Sequence, residues 1–170
     1  MDGHDLEKAD KGLDLEKALG DILARLDRIE EKVGLRPKKY EIHVAVDYAS
    51  KNGIVRPFYV FGIFLEGREI KLARFIMPET ASSIRCMLAG IHESYQYAYL
   101  AGAKQVALYI NFADVALAYS SQKSSLYDES LNELWQELKQ ELGNAFLDYK
   151  SVDQMFLPVV EEVKRIKTEQ

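Results

Sequence analysis

Three runs rich in β-branched and aromatic residues, with short turns predicted between them, constrain the fold of this chain most strongly. The first run is Tyr40–Val46, which alternates between apolar and polar residues and ends at Asp47. The second is Phe58–Leu65 and the third is Glu69–Met77. Such runs are typical of strands, and the Asn-Gly and Glu-Gly pairs between them favour tight turns. The sequence therefore predicts an antiparallel meander of three strands.

Helical periodicity dominates the rest of the chain, interrupted by two further apolar runs. Apolar residues three and four positions apart predict amphipathic helices, and compact apolar runs predict buried strands. The order becomes β-β-β-α-β-α-α-β-α, which predicts an α/β domain with a mixed five-stranded sheet. The remaining predicted elements are helix 80–100, strand 106–110, helix 113–119, helix 125–142, strand 145–152 and a helix with Pro158 near its first turn.

A heptad pattern precedes this domain. Its apolar residues are spaced alternately by four and three positions, which is the repeat of a coiled coil. In the heptad abcdefg, the apolar positions are a and d. Most of the a positions here are leucine and most of the d positions are isoleucine, which favours a coiled coil of more than two helices. We therefore expect a parallel homo-oligomer, with a tetramer ahead of a trimer or dimer. The alternative is that the seam packs against the chain's own domain. The seam consists of Leu15, Leu19, Ile22, Leu26, Ile29 and Val33.

The predicted organisation has four parts: a flexible N-terminus over 1–12, a coiled-coil helix over 13–35, a linker over 36–39 and a domain over 40–170. A single cysteine excludes an internal disulfide, and no apolar run is long enough to span a bilayer, so a cytoplasmic protein without a membrane partner is expected. The formal charge of −5 weighs against strong nonspecific binding to phosphates.

Three segments of the domain resemble the ribonuclease H family in their order and position. Residues 47–53, Asp-Tyr-Ala-Ser-Lys-Asn-Gly, are similar to that family's strand-end stretch Asp-Gly-Ala/Ser followed by Asn-Pro-Gly. Thr80–Arg85 lies where the family has Thr-Asn-Asn-x-x-Glu, and Val106–Asn111 lies where its fourth strand runs into an Asp-Ser pair. The resemblance covers about residues 40–166 and implies a ribonuclease H-like fold.

The resemblance also implies a site where carboxylates hold two Mg²⁺ or Mn²⁺ ions about 4 Å apart. Asp47 occupies the first matched position. The second falls on Arg85, or on Ile84 or Cys86 if the alignment moves by one residue, and the third falls on Asn111. A guanidinium and a neutral amide do not balance metal charge, so we expect a degenerate site in which Asp47 and Arg85 form an ion pair.

Other carboxylates could replace the missing ones. Glu93 lies two turns beyond Arg85 on the same predicted helix, Asp114 lies three residues after Asn111, and Asp153 precedes the last helix. Together with Asp47 they would form a rearranged metal site. The alternative, which we favour, is that they are ordinary surface residues of amphipathic helices.

Two main functional hypotheses follow from these residues. The first is a non-catalytic oligomeric module without a cofactor, which binds RNA or RNA–DNA hybrids through Ser50, Lys51, Asn52 and Arg56 near the first turn. The second is a Mg²⁺- or Mn²⁺-dependent nuclease of the ribonuclease H type. A purely structural or protein-binding oligomer is a third alternative.

Overall fold

We describe a computed structural model of the chain, over residues 11–32 and 38–169. The chain divides into two compact units between Pro37 and Lys38. Most of the predicted flexible N-terminus lies outside the described residues, but Lys11 is already helical. Half of the linker predicted over 36–39 also lies outside them, and its last residue already belongs to the first strand.

The first unit contains one described helix, α1 (Lys11–Lys32). Its heptad leucines and isoleucine leave much of their surface exposed to solvent, since Leu15, Leu19, Ile22 and Leu26 are 66%, 59%, 56% and 49% exposed. The side chain of Ile29 and the whole of Val33 lie outside the described residues. The helix therefore presents an apolar seam, and the coiled coil stays a prediction.

The second unit is a five-stranded sheet flanked by helices, in the predicted order. Its elements are β1 (Lys39–Lys51), β2 (Ile54–Leu65), β3 (Arg68–Ile76), α2 (Ser83–Leu100), β4 (Gln105–Ile110), α3 (Ala113–Ser120), α4 (Asn132–Leu142), β5 (Phe146–Tyr149) and α5 (Leu157–Thr168).

The sheet has the strand order β3-β2-β1-β4-β5. The first three strands form the predicted antiparallel meander, and β4 and β5 add to it as parallel strands. The α/β class and the mixed five-stranded sheet are thereby confirmed. Because β4 and β5 run parallel to the central strand β1, the carboxyl ends of these three strands lie at the same end of the sheet. Asp47 and Asn111 lie in this part of the sheet.

Each face of the sheet has its own hydrophobic core. Helices α2, α3 and α4 cover one face, where Val44 and Val46 of β1 are buried. Helix α5 covers part of the other face, where Ala45 and Ala49 of β1 pack against it. Because successive strand side chains point to opposite faces, Asp47 lies on the α5 face. We call the two sides the α2 face and the α5 face.

Several predicted boundaries differ from the structure. Strands β1 and β2 extend further toward the turn between them than expected, because their pairing continues as far as Lys51 and Ile54. The helix expected from Ser125 begins only at Asn132, after a short 3₁₀ turn over Glu129–Leu131 that the side chain of Asp128 caps. Strand β5 ends at Tyr149, three residues earlier than expected, because a second 3₁₀ turn follows it. None of the described helices is both long enough and apolar enough to cross a membrane.

Candidate functional site

Asp47 lies within β1 rather than at its end. The pairing of β1 with β2 continues past Asp47, which faces Phe58, as far as Lys51, which faces Ile54. The Asp47 carboxylate is about one third exposed, and its Oδ2 lies 3.0 Å from Nζ of Lys167 in the last turn of α5. Its Oδ1 accepts a hydrogen bond of 2.7 Å from the backbone N–H of Tyr48. Both carboxylate oxygens therefore already have a donor within the chain.

The ion pair of Asp47 differs from the one expected from the sequence. We predicted Arg85 as the partner, but the described residues contain no ion pair between Asp47 and Arg85. Arg85 lies on α2, on the other side of the sheet, with an exposed side chain. Lys167 replaces it because α5 runs along the same face as Asp47. An ion pair this exposed contributes less than about 1 kcal/mol to stability.

Asn111 follows β4 directly and pairs with the backbone of β1. Its Nδ2 donates a hydrogen bond of 2.9 Å to the carbonyl oxygen of Val46, and its Oδ1 accepts one of 2.8 Å from the Val46 N–H. The side-chain amide thus extends the β1–β4 ladder beyond its last pair, Val44 with Ile110. An ionised aspartate could accept from Val46 but could not donate to it, since a carboxylate carries no hydrogen.

The three possible substitute carboxylates lie on three different elements. Glu93 is on α2 and accepts a hydrogen bond from the hydroxyl of Tyr59, which is buried in the core of the α2 face. Asp114 is exposed in the first turn of α3, and Asp153 is exposed in the 3₁₀ turn before α5. The sheet therefore lies between Asp47 and Glu93.

The residues present do not fit a two-metal site. Within the part of the chain that the structure describes, no group of three or more histidine, cysteine, aspartate and glutamate side chains could hold a metal ion. Asp47 is the one acid that the sequence predicted at a matched position, and Lys167 already supplies it with a positive charge. The amide of Asn111 uses both of its polar atoms on Val46.

The candidate nucleic-acid residues surround the turn between β1 and β2. Asn52 and Gly53 have φ values of 53° and 77°, the left-handed pair that the Asn-Gly sequence predicts. Lys51 and Arg56 line a depression of about 250 Å³ on the α5 face, together with Glu169 near the end of α5. Ser50 alternates with Lys51 and so points to the α2 face.

His43 is a buried polar residue that the sequence did not single out. Its side chain is wholly enclosed, with the Phe156 ring stacked at 4.5 Å and the Phe64 ring edge-on at 5.6 Å. Its Nε2 lies 3.1 Å from Oε2 of Glu41, and its Nδ1 has no hydrogen-bond partner among the described residues. Burial lowers the pKa of His43, which the hydrogen bond to Glu41 opposes, and Lys150 lowers it further.

A sequence signal for His43 was present. It occupies an inward position between buried Ile42 and Val44 of a central strand, where both faces of the sheet are covered. An imidazole in such a position must pair inside the protein or lose its charge. The residue therefore packs in the core of the α5 face, against Phe64 and Phe156.

Comparison with known proteins identifies the fold. No family model and no curated relative matches this chain. A ribonuclease H1 called LC11, isolated from compost and solved with an RNA/DNA hybrid, has a TM-score of 0.57 at 11% identity, covering 75% of this chain and 97% of its own. The N-terminal ribonuclease H domain of a Mycobacterium tuberculosis protein has a TM-score of 0.56 at 10% identity, covering 76% and 96%.

A third similar structure comes from a virus. A foamy viral protease–reverse transcriptase in complex with double-stranded DNA has a TM-score of 0.54 at 7% identity, covering 78% of this chain and 92% of its own. These similarities agree with the strand order and with the helices on the two faces of the sheet. The second unit of this chain therefore has the ribonuclease H-like fold.

Proposed function

We propose that this chain is a self-associating ribonuclease H-like module that binds RNA or RNA–DNA hybrids without cutting them. The observation that supports it most is the ion pair between Asp47 and Lys167, at 3.0 Å. A metal ion would have to displace the ammonium group of Lys167 to reach the Asp47 carboxylate. Asn111 would have to break two hydrogen bonds to Val46 before its oxygen could join such a site.

Support for nucleic-acid binding comes from the turn between β1 and β2 and from similar structures. Lys51 and Arg56 are exposed cations on one side of that turn, and Asn52 is exposed at its tip. Similar folds have been solved with an RNA/DNA hybrid and with double-stranded DNA. Because the chain as a whole is acidic, we propose that a single module binds weakly and in a salt-dependent way.

Support for self-association comes from the exposed seam of α1. Four large apolar side chains at a and d positions are each about half exposed or more, which is unfavourable for an isolated helix in water. We propose a parallel assembly, with a tetramer as the leading state. Several linked modules would then bind one nucleic acid more tightly than a single module, because the first contact raises the local concentration of the others.

A binding and cleavage assay on the full chain tests this proposal. A labelled RNA–DNA hybrid, an RNA duplex and a DNA duplex are incubated with the protein, first in EDTA and then with Mg²⁺ or Mn²⁺. We expect binding at low salt, no cleavage, and weaker binding of the Lys51→Ala/Arg56→Ala variant by about tenfold. The matched control, Lys164→Ala/Arg68→Ala, removes the same charge from exposed positions elsewhere and should bind like the native chain.

Two results would overturn the proposal. Equal binding of nucleic acid by both double variants would show that the turn is not part of the interface. Metal-dependent cleavage that Asp47→Asn abolishes would show a nuclease with a rearranged site, and Glu93→Gln, Asp114→Asn and Asp153→Asn would then identify its other carboxylates. A contaminating nuclease is distinguished from this outcome because its activity would survive Asp47→Asn.

A further inference from the structure

The depression beside the turn between β1 and β2 combines polar and aliphatic surface. Its volume is about 250 Å³, and its polar lining residues, Lys51, Asn52, Arg56 and Glu169, are all exposed. The rest of its lining is aliphatic. Because sites for whole small molecules usually measure about 300–1,000 Å³, a depression of this size suits one part of a larger ligand.

The charge of this lining favours an anion. Lys51 pairs with Ile54 across the two strands, and Arg56 lies two residues further along β2, so the two cations are diagonal neighbours on one face. Neither cation takes part in an ion pair or a side-chain hydrogen bond among the described residues. Glu169, the acid of the lining, already holds Nη1 of Arg74 at 3.2 Å. A phosphate beside the turn therefore meets two cations that no acid of the described chain neutralises.

The aliphatic part of the depression is unfavourable for a hydroxyl group. Ala49 and Ile166 are buried, whereas Ile54 and Ile76 keep 40% and 44% of their surface exposed, so a ligand contacts mainly these two isoleucines. A hydroxyl placed against them would lose hydrogen bonds to water and gain none from their side chains. The 2′-hydroxyl is the group by which a protein distinguishes RNA from DNA. This surface therefore suits deoxyribose better than ribose.

We infer that the depression holds a deoxyribose of a DNA strand, with the phosphates of that strand on Lys51 and Arg56. This inference rests on the proposed binding of nucleic acid at the turn, and it names the strand that the turn contacts. In an RNA–DNA hybrid, the DNA strand lies against the turn. An RNA strand alone binds less tightly, because its 2′-hydroxyl would face Ile54 and Ile76. Contacts to sugar and phosphate do not read bases, so the binding is independent of sequence.

Three single strands of one sequence test this inference with the full chain, by fluorescence anisotropy at low salt. The strands are DNA, RNA and 2′-fluoro-RNA, built only from adenine and cytosine, so that all three carry the same bases and none forms a hairpin. We expect DNA to bind about fivefold more tightly than RNA. We expect 2′-fluoro-RNA, which lacks the hydroxyl but keeps the sugar pucker of RNA, to bind like DNA.

The possible failures of this test are distinguishable. Equal binding of DNA and RNA, or 2′-fluoro-RNA that binds like RNA, would overturn the inference and leave the proposed function intact. No binding of any of the three strands or of the RNA–DNA hybrid would overturn both.

Matched variants show whether the depression is responsible. Ile76→Thr adds a hydroxyl that can pair with the 2′-hydroxyl, and it should reduce the preference for DNA from about fivefold to about twofold. Ile70→Thr, on the same strand and similarly exposed at 47%, lies outside the lining and should keep the preference of the native chain.

A second pair of variants keeps the test decisive if Ile76→Thr fails to fold. Ile54→Thr should also reduce the preference for DNA, because Ile54 lines the depression. Val55→Thr is its control, since Val55 is exposed and points to the α2 face. A preference for DNA that is unchanged in both Ile76→Thr and Ile54→Thr would rule out this site.

Discussion

The side-chain amide of Asn111 pairs with both backbone polar groups of Val46, at 2.8 Å and 2.9 Å. This contact extends the ladder between the two central parallel strands by one step, at the point where the regular pairing of β1 with β4 has ended. An amide is the side chain suited to this position, because it donates with one atom and accepts with the other. At the position where the resemblance to ribonuclease H expects an aspartate, Asn111 therefore has a structural role.

Replacing Asn111 by aspartate should destabilise the domain. The ionised carboxylate would face the carbonyl oxygen of Val46 without a hydrogen to donate, which we expect to cost about 1–3 kcal/mol. Urea unfolding at neutral pH measures this change. Asn144→Asp in the exposed loop before β5 is the matched control and should change the free energy of unfolding by less than about 0.5 kcal/mol. Equal stability of the two variants would contradict the role of Asn111.

The ion pair between Asp47 and Lys167 should contribute little to stability. Its side chains are 32% and 49% exposed, so water screens the attraction. A double-mutant cycle of Asp47→Asn, Lys167→Met and the combined variant should give a coupling free energy below about 1 kcal/mol, measured by urea unfolding. A coupling well above that value would mean that the pair is more enclosed than its exposure indicates.

His43 should make the domain less stable at acid pH. Burial lowers its pKa in the folded state below the ordinary 6.5, so the unfolded chain binds a proton at a higher pH than the folded one. Stability is therefore lost as the pH falls below about 6.5, by at most about 1.4 kcal/mol per pH unit. His43→Phe keeps an aromatic ring among Phe64, Tyr109 and Phe156. This variant should flatten the acidic part of the curve of unfolding free energy against pH. Parallel profiles for the two proteins would refute the assignment.

The seam of α1 should control the mass of the protein in solution. We expect the native chain to sediment at a multiple of its mass of 19.4 kDa, with four copies as the leading state. Leu19→Glu/Leu26→Glu places charges in the seam and should give monomers. Lys17→Ala/Arg28→Ala changes the net charge by the same amount outside the seam and should leave the assembly intact. Native protein that sediments as a monomer would disprove the coiled coil.

Much of the fold could be predicted because local patterns depend on which residues must be buried. The alternation in β1 and the stripe of α2 indicate one buried face each, whatever they pack against. Boundaries were harder to predict where short-range hydrogen bonds compete with periodicity. The Asp128 side chain caps a 3₁₀ turn, and this delays α4 until Asn132 although the apolar spacing begins earlier.

The partners of the site residues depended on the tertiary structure. From the sequence alone, the resemblance to ribonuclease H led us to expect an acid at a matched position only in Asp47. It placed Asn111 and Arg85, or a neighbour of Arg85, at two other positions where it implies acids. Only the packing of α5 against β1 decided that Lys167, 120 residues away, neutralises Asp47. Only the register of β1 with β4 decided that Asn111 pairs with Val46. Both contacts join residues far apart in the chain, and no local pattern specifies which side chains such packing will bring within hydrogen-bond distance.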